Sequence, residues 1–495
     1  MSKGAIFQLI VKDDRFDKVF TASEYLARNL KQKGLNATFA DIESSHRLFV
    51  RSTYKPYAAI TSEYTKVLSS CGSLLGSGSS ALQFTIPSVG QFISDIVLHL
   101  RFGALGKKNA APTDPYFQWC ALPGVRALQY VSFTSDQMII DDYTPDDVLA
   151  WAKFFINKDH LMGWMTCHGQ QTMNEATFFG NNITVSATYQ DGPQTPKQFQ
   201  PAFDCFIPLN FWFCHNTESA LMTDLFPSGQ RYINCDVAPI SLLAKAVTLN
   251  TDLTFSPATG DFSNITMNAE LYVNGLYVNT DVHEVFSRHV GFSLIRVHRR
   301  QKFVAQQSAS VLLDQLKFPA EYLLVTARAK ALADNFNQWW LSGISIPRPQ
   351  PSALIFPYAV WNANPLINRA ELAIATATDI SSLSNLISHL GVTAYGIDLY
   401  PLTPSTFYNA YKPIRYHFGA KTVPPIDNSV FLISFCLLPG SDQPSGYYNL
   451  SSGRELYLKY QMSENFIAES EILVTMSALN FLVRSGDTIK LKFMI

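Results

Sequence analysis

Charged side chains are scarce in this sequence. Asp, Glu, Lys and Arg make up 16% of its 495 residues, whereas they make up about 25% of an ordinary soluble domain. The formal net charge is −1, so the chain lacks the basic surplus that neutralises a phosphate backbone, and we expect no direct nucleic acid binding. Aromatic residues reach 13%. Two explanations stay open: a surface covered by other chains, or a large buried β-protein with polar, uncharged loops.

The sequence also lacks the motifs of common catalytic and metal sites. No Gly-Lys-Ser/Thr follows the glycines at 72–78, which excludes a phosphate-binding P-loop. Neither Gly-x-Ser-x-Gly nor His-x-His occurs, which argues against a hydrolase nucleophile elbow and a metal-binding cupin. His283 and His289 would stand roughly 240° apart around a helix and could not share a metal. We predict that the protein is not an enzyme and needs no cofactor or metal.

Long apolar helices and disulfide patterns are missing as well. The uncharged stretch at 67–94 is interrupted by Gly and Pro, which is typical of turns and strands rather than a membrane-spanning helix. The 7 cysteines include no Cys-x-x-Cys pair, so reduced structural thiols are expected. No secretory signal is expected at the N-terminus.

What is present indicates a large β-protein in two parts. The chain is too long for one core and suits two units of about 200 to 250 residues. From residue 48 onward, short apolar runs separated by Gly, Pro, Ser and Asn predict β-sandwiches. Pro-Ser-Gly occurs at 227–229 and again at 444–446, a faint sign of duplication. Loop-forming residues at 248–262 mark a boundary, so we predict an N-terminal arm at 1–47 and β-units at 48–250 and 251–495.

A few helices interrupt the strand pattern. Apolar spacing predicts them at 15–33, 145–155, 281–289 and 308–316. Asn274-Gly275 is a hairpin signal by itself. A hairpin here would have very short arms, so we predict one continuous strand with a bulge or kink at these residues.

Clusters of charge and paired rings allow structural and functional interpretations. Asp141, Asp142, Asp146 and Asp147 lack calcium-loop spacing and precede a predicted helix, so we predict that they stabilise its N-terminus, with a glycosidase pair as the alternative. The basic cluster at 296–300 is interpreted as a solvated strand end, with salt bridges between subunits as the second choice. For the tryptophans at 339–340, burial in an interface or under a loop is favoured over a sugar-stacking platform.

The segment at 443–451 lies between an apolar run at 431–438 and an alternating run at 455–460. Pro444 and Gly446 fit the second and fourth positions of a type I turn. We therefore predict a chain reversal between two strands here, and the segment matches no ligand-binding pattern.

These features occur in an order that resembles the major capsid proteins of nucleocytoplasmic large DNA viruses, most of all the asfarvirus type. The similar segments are 191–197, 211–213, 269–273, 283–288, 292–298, 318–325, 416–419, 444–446 and 478–482. The positions that carry the resemblance are Pro193, Gln194, Thr195, Pro196, Phe292, Leu294, Ile295, Pro319, His417, Pro444, Ser445, Gly446, Asn449, Ala478 and Asn480.

The resemblance implies an all-β double jelly roll, in which each unit is an eight-stranded sandwich of two Greek-key sheets. It implies a homotrimer that forms a pseudo-hexameric capsomer and tiles an icosahedral shell. The implied partners are further trimers, minor capsid and penton proteins, and an inner membrane layer. The implied location is the virion capsid, assembled in the host cytoplasm. A transient scaffold with the same fold and a carbohydrate-binding β-sandwich are the alternatives.

Overall fold

The computed structural model of this chain describes residues 60–69, 74–75, 78–109, 111, 114–136, 138–170, 172–179, 182–189, 196–226, 231–250, 255–262, 264–278, 283–284, 292–334, 336, 339–340, 342, 344–345, 383–416, 429–450, 455–464, 469–485 and 488–493. The predicted N-terminal arm at 1–47 and its helix at 15–33 lie outside these residues.

Two antiparallel sheets form the first half of the described chain. Their strands are β1 (Ile60–Leu68), β2 (Ser80–Thr85), β3 (Phe92–Phe102), β4 (Leu128–Ser135), β5 (Met138–Tyr143), β6 (Phe203–Pro208), β7 (Arg231–Val237) and β8 (Thr266–Val278). One sheet has the order β1-β8-β3-β6 and the other β2-β7-β4-β5.

The second half repeats this arrangement. Its strands are β9 (Phe292–Val304), β10 (Ser308–Leu312), β11 (Pro319–Ala329), β12 (Ile387–Ala394), β13 (Ile397–Pro404), β14 (Val430–Ser434), β15 (Leu456–Met462) and β16 (Ser470–Ser485). The sheet orders are β9-β16-β11-β14 and β10-β15-β12-β13. In both halves the first, eighth, third and sixth strands form one sheet, and the second, seventh, fourth and fifth form the other. This order is that of a jelly roll, so the predicted double jelly roll is confirmed.

Shorter strands extend these sheets or form small ones of their own. They are Leu74–Leu75, Leu105–Gly106, Tyr116–Trp119, Thr172–Phe179, Asn182–Tyr189, Phe199–Gln200, Leu221–Met222, Ala244–Leu249, Phe255–Ala258, Ile344–Ser345, Leu383–Ser384, Tyr448–Asn449 and Thr488–Leu491.

The strands form because their apolar residues alternate, which gives each sheet one apolar face. Along β3, Ile96, Leu98 and Leu100 are fully buried, and the residues between them are not. Phe133 on β4 and Ile233 on β7 close the core from the opposite sheet. The same alternation in β15 buries Leu458 and Tyr460 in the second jelly roll.

Strand β8 is continuous through Asn274-Gly275, as predicted. Its pairing with β3 shifts register between these two residues, which is a β-bulge. Gly275 is needed there because a Cβ would lie 2.4 Å from Cγ1 of Val89. Since β8 pairs with β1 and β3, the first jelly roll extends past the predicted boundary at residue 250. We propose that it runs to Val278.

Short helices fill the connections. They are α1 (Pro123–Ala127), α2 (Pro145–Phe155), α3 (Lys158–Cys167), α4 (Trp212–His215), α5 (Ile240–Leu243), α6 (Lys330–Ala333) and α7 (Lys412–Arg415), with a π-helical turn at Phe407–Tyr411 and 3-10 turns at Thr217–Ser219 and Thr223–Leu225. The helix predicted at 145–155 is confirmed. Of the one predicted at 281–289, only residues 283–284 are described, and they are helical.

The helix predicted at 308–316 is wrong. Residues 308–312 form strand β10, which pairs with β15. Ala309 and Val311 are partly buried against the core and their neighbours are exposed. Buried residues therefore recur at every second position, as in a strand. In so short a run, pairing with β15 favours a strand over a helix.

The predicted type I turn at Pro444 to Gly446 is also wrong, because no turn forms there. The chain reverses earlier, where the Ser441 N–H donates to the Leu438 carbonyl across Pro439-Gly440. Gly440 has φ 78°, the value that a type II turn requires at its third position. Residues 444–446 are held back against this loop, since the Leu438 N–H donates to Oγ of Ser445 at 2.8 Å.

All the cysteines that the structure describes are free thiols, in agreement with the predicted reduced state. No helix among the described residues is long and apolar enough to cross a membrane.

Candidate functional site

The most elaborate polar arrangement in the structure lies where the two jelly rolls meet. Its acidic side comes from the end of β5 and the first turn of α2. Asp141 is fully buried and Asp147 is 1% exposed. Asp147 also accepts hydrogen bonds at 2.8 Å from the N–H and the hydroxyl of Thr144, so it caps α2 while facing the second jelly roll.

The basic side of this junction comes from β9. Arg296, His298 and Arg300 alternate along the strand, so their side chains lie on one face. On the neighbouring strand β16, Ser477 pairs with His298 and Thr475 pairs with Arg300. The result is a polar strip on the outer face of the β9-β16-β11-β14 sheet.

Acid and base meet directly across the junction. Oδ1 of Asp141 accepts the His298 backbone N–H at 2.6 Å, and Oδ2 lies 3.0 Å from Nδ1 of the same residue. Arg300 donates to the carboxylate of Asp142 and lies 3.6 Å from that of Asp147. The Thr475 hydroxyl donates to the other oxygen of Asp147. Charge-assisted bonds of this kind are short and directional, so they fix orientation as well as proximity.

Two predictions are corrected here. Asp141 and Asp142 do not stabilise a helix N-terminus, because they end β5 and bind His298 and Arg300. The basic cluster is not a solvated strand end either. It pairs within the same chain, with carboxylates roughly 157 residues away. Asp146, the remaining acid, accepts from Arg328 of β11 at 2.9 Å.

Burial and charge set the protonation of the histidines at this site. Burial alone lowers the pKa of His298, but the charge and hydrogen bond of Asp141, with Asp147 and Asp142 behind it, raise it above 6.5. Burial lowers the pKa of His215 to about 4, helped by the positive charges of His298 and Arg296. His298 therefore binds a proton more readily than His215 does.

Beside the polar strip, α2 packs its apolar face on the second jelly roll. Ala150 and Phe154 form a buried cluster with the side chains Tyr322, Leu324, Val430 and Leu432. The ring of Phe155 lies 5.1 Å from that of Tyr322. A Cβ at Gly440 would lie 2.3 Å from Cε1 of Phe155 and would clash with it. Only glycine therefore lets the turn at 438–441 lie this close to α2.

A third contact involves the paired tryptophans. Trp339 is 4% exposed, and its Nε1–H donates to the Ala121 carbonyl at 2.9 Å. The guanidinium of Arg126 on α1 lies 5.3 Å from the Trp339 ring centre. The predicted burial of Trp339 is confirmed. Between these contacts lies a cavity of about 1060 Å³, whose walls include Arg126, Arg299, Arg328, Asp142, Asp146 and Asp314.

Arg296 extends the network towards the segment that carries the Pro-Ser-Gly motif. It makes a two-pronged ion pair with Glu321, with Nε to Oε2 at 2.7 Å and Nη2 to Oε1 at 3.2 Å. It also donates to the carbonyls of Ser441 at 2.7 Å and Asp442 at 3.2 Å. The loop at 438–446 is thus attached to the sheet that faces the first jelly roll.

Most of the signature residues that the structure describes lie in the second jelly roll. Ile295 on β9 pairs with Asn480 on β16, and both are buried. The side chain of Asn480 bonds the N–H and the carbonyl of Phe493 at 3.1 and 2.9 Å, which anchors the residues after the last strand. Pro319 pairs with Asn449 in the sheet. These positions serve the framework of the fold.

Of the remaining signature residues, Ala478 is fully buried, whereas Phe292 and Leu294 are 65% and 40% exposed at the start of β9. Pro196 precedes a bridge between Lys197 and Phe117. Pro193, Gln194, Thr195 and His417 lie outside the described residues, as does the first Pro-Ser-Gly at 227–229. The structure thus brings Phe292, Leu294, Ile295, Ala478 and Asn480 together on paired strands.

Sequence reasoning missed Glu321, Arg328, Thr475 and Gly440, all of which act at the junction. Only Gly440 carried a local signal, since Pro439-Gly440 is a strong turn dipeptide.

Within the described part of the chain, no group of three or more His, Cys, Asp or Glu side chains could hold a metal ion. Burial lowers the pKa of His168 to about 4, and its Nδ1 lies 2.7 Å from the carbonyl of Trp164. Its role is that of a packed, hydrogen-bonded side chain.

No protein-family model matches the chain. It is 25% identical to the major capsid protein of African swine fever virus (isolate Pig/Kenya/KEN-50/1950) over 658 aligned positions, which cover 100% of both chains. It is 23% identical to the major capsid protein of Phaeocystis pouchetii virus over 48% of this chain and 40% of that protein.

Solved structures share the fold. The Faustovirus major capsid protein superposes with a TM-score of 0.70 at 21% identity, covering 96% of this chain and 100% of the other. A model of the PBCV-1 virus capsid gives a TM-score of 0.58 at 14% identity, covering 90% and 99%. These comparisons support a structural capsid protein of the large-DNA-virus type with a double jelly-roll fold.

Proposed function

We propose that this chain, a major capsid protein of the large-DNA-virus type, assembles as a homotrimer that acts as a pseudo-hexameric capsomer and tiles an icosahedral shell. The observation that carries the proposal is the repeated strand order, which puts two jelly rolls of the same topology in one polypeptide. Three copies then present six similar units around a threefold axis, so one kind of chain can fill a hexagonal lattice.

The junction at Asp141, Asp147, His298 and Arg300 supports this function because such a tile needs a fixed angle between its two units. Domains joined by a linker alone move relative to each other. Here buried ion pairs, the apolar face of α2 and Trp339 act at separate points. We infer that the polar contacts set the orientation and that the apolar contacts supply most of the stabilisation.

Contacts between trimers would then build the shell, with minor capsid and penton proteins and an inner membrane layer as further partners, and assembly in the host cytoplasm. We propose no direct role in nucleic acid binding, since the net charge is −1. No enzymatic step is part of this function.

The test is the mass of the purified protein by light scattering in reducing buffer, followed by negative-stain imaging of the same peak. A threefold mass with hexagonal particles is the expected result. A stable monomer at micromolar concentration would overturn the proposal and return the carbohydrate-binding sandwich to consideration. Mass spectrometry of mature particles separates shell from scaffold, because a scaffold protein would be missing from them.

A further inference from the structure

We infer that the outer face of the β1-β8-β3-β6 sheet binds a docking segment of a second copy of this chain, which consists of the π-helical turn Phe407–Tyr411 and helix α7. This inference rests on the proposed trimer and names the surfaces that form it. The template is the junction within one chain, where helix α2 lies on the outer face of the β9-β16-β11-β14 sheet.

The two halves offer equivalent parts for this contact. Helix α2 follows the fifth strand of the first jelly roll. The π-helical turn Phe407–Tyr411 and α7 follow the fifth strand of the second. Likewise, β1-β8-β3-β6 has the same strand order as the sheet on which α2 lies. In each chain, α2 is already packed on the outer sheet face of the second jelly roll. The equivalent helical segment and the equivalent sheet face of the first jelly roll would pair between two copies.

The docked and undocked faces differ in exposure. Under α2, Leu324 is 2% exposed and Leu432 is fully buried. On the equivalent face of the first jelly roll, Tyr64 is 54%, Leu68 68% and Phe206 46% exposed. Phe206 stacks on His99 with ring centres 4.5 Å apart. An aromatic patch of this kind is typical of a surface that another chain covers.

The proposed docking segment is equally uncovered. Tyr411 is 52% exposed and Ile414 is 68%, and Leu402 on the adjoining strand β13 is 48% exposed. In α2, by contrast, Ala150 and Phe154 are buried against the second jelly roll. Both surfaces of the proposed contact thus expose apolar residues that a second copy would cover.

Charge favours the same pairing. The sheet face carries the acids Asp95, Asp204 and Glu270 and the bases Lys66 and Arg101. Lys66 lies 2.5 Å from Glu270, and Asp204 lies 2.8 Å from Nε2 of His99 and 3.9 Å from Arg101. Asp204 keeps 43% of its side chain exposed. Helix α7 brings Arg415, which is exposed, whereas Lys412 lies over the rings of Tyr400, Phe407 and Tyr416 in its own chain. The three carboxylates exceed the two basic side chains by one, so the exposed Arg415 meets a face with a small acidic excess, the reverse of the acid-on-base contact between α2 and β9.

The contact is heterologous, because each copy contributes a sheet face to one neighbour and a helical segment to the other. Such contacts close into a ring when the rotation allows it. A trimer closed in this way leaves no unpaired copy of either surface.

Two single substitutions test the assignment. Phe206→Asp places a charge on the sheet face, and Ile414→Asp places one on the docking segment. Each should shift the light-scattering mass from trimer towards monomer, with the affinity between copies weakened roughly tenfold or more. The matched control is Val304→Asp, a 66% exposed apolar residue at the end of β9, which should remain trimeric.

Mixing the two variants gives a sharper result. Each retains the surface that the other has lost, so an equimolar mixture should form a one-to-one dimer through the single intact contact. Trimers formed by both variants would overturn the inference while leaving the proposed function standing. Failure of the unsubstituted chain to trimerise would instead overturn the proposed function.

Hydroxyl-radical footprinting of the unsubstituted trimer covers the case in which a variant fails to fold. With oxidation rates normalised to each residue's intrinsic reactivity, Phe206, Tyr411 and Ile414 should be protected relative to Val304. Equal oxidation of all four would overturn the assignment.

Discussion

The carboxylate of Asp141, in the first jelly roll, accepts the backbone N–H of His298 in the second and faces its imidazole with the other oxygen at 3.0 Å. One buried side chain therefore binds both the main chain and the ring of its partner. A rigid-body shift between the jelly rolls would break both bonds at once. Both bonds of this pair can therefore form only at this relative orientation of the two jelly rolls.

Replacing Asp141 with Asn should destabilise the protein by about 1.5 to 3 kcal/mol, because it removes the carboxylate that binds His298 through charge-assisted hydrogen bonds and raises the pKa of its imidazole. Urea unfolding followed by tryptophan fluorescence would measure the loss. Asp236→Asn on β7 is the control, since this carboxylate is exposed and should cost less than about 0.5 kcal/mol. Equal effects for the two variants would show that the junction carries no special stabilisation.

Stability should depend on pH through His298. Its pKa is raised in the folded state from the ordinary 6.5, so its contribution is fully present below about pH 6.5 and is lost as pH rises through the folded-state pKa. His215, whose pKa falls to about 4, takes up a proton on unfolding below about pH 6.5, and this lowers stability in the unsubstituted protein and in a His298 variant alike.

Scanning calorimetry between about pH 6 and pH 9 should therefore show the Tm difference between the unsubstituted protein and His298→Gln shrinking as pH rises. A difference that is constant across this range would mean that His298 does not bind its proton more tightly in the folded state.

Gly440→Ala should cost about 1 to 3 kcal/mol, because the new methyl group meets the Phe155 ring and the residue has φ 78°. Gly163→Ala is the matched control. Gly163 lies in α3, and a Cβ added there would have no atom within 4 Å, so alanine should stabilise by about 0.5 to 1 kcal/mol. Thermal melts of both proteins give the comparison, and a neutral Gly440→Ala would contradict the close approach to α2.

Phe154→Ala should lower the free energy of unfolding by about 3 to 5 kcal/mol, since the ring is 2% exposed between α2 and the second jelly roll. Leu161→Ala on α3 serves as control at 36% exposure and should cost far less. Limited proteolysis would add a structural readout: if the jelly rolls separate first, cleavage of the Phe154→Ala protein should begin between Val278 and Phe292.

Local features followed from local sequence. Thr144 to Asp147 contains a cap, a proline and first-turn acids, so α2 forms at the predicted residues 145–155. The bulge at Asn274-Gly275 was predictable because a hairpin there would have had very short arms, which favoured one continuous strand. The helix predicted at 308–316 failed because a five-residue strand is decided by the edge it pairs with, and β15 is more than 140 residues further along the chain.

The sequence by itself determined the strand-rich composition, the division into two similar units, the absence of familiar catalytic motifs, and the resemblance to a capsid family. Each of these depends on residue type and spacing along the chain. Only the tertiary structure decided that Asp141 meets His298 and that Asp142 meets Arg300. The sequence contained both the acidic and the basic cluster, but residues 157 positions apart come together only after both sandwiches have folded and α2 has buried its apolar face between them.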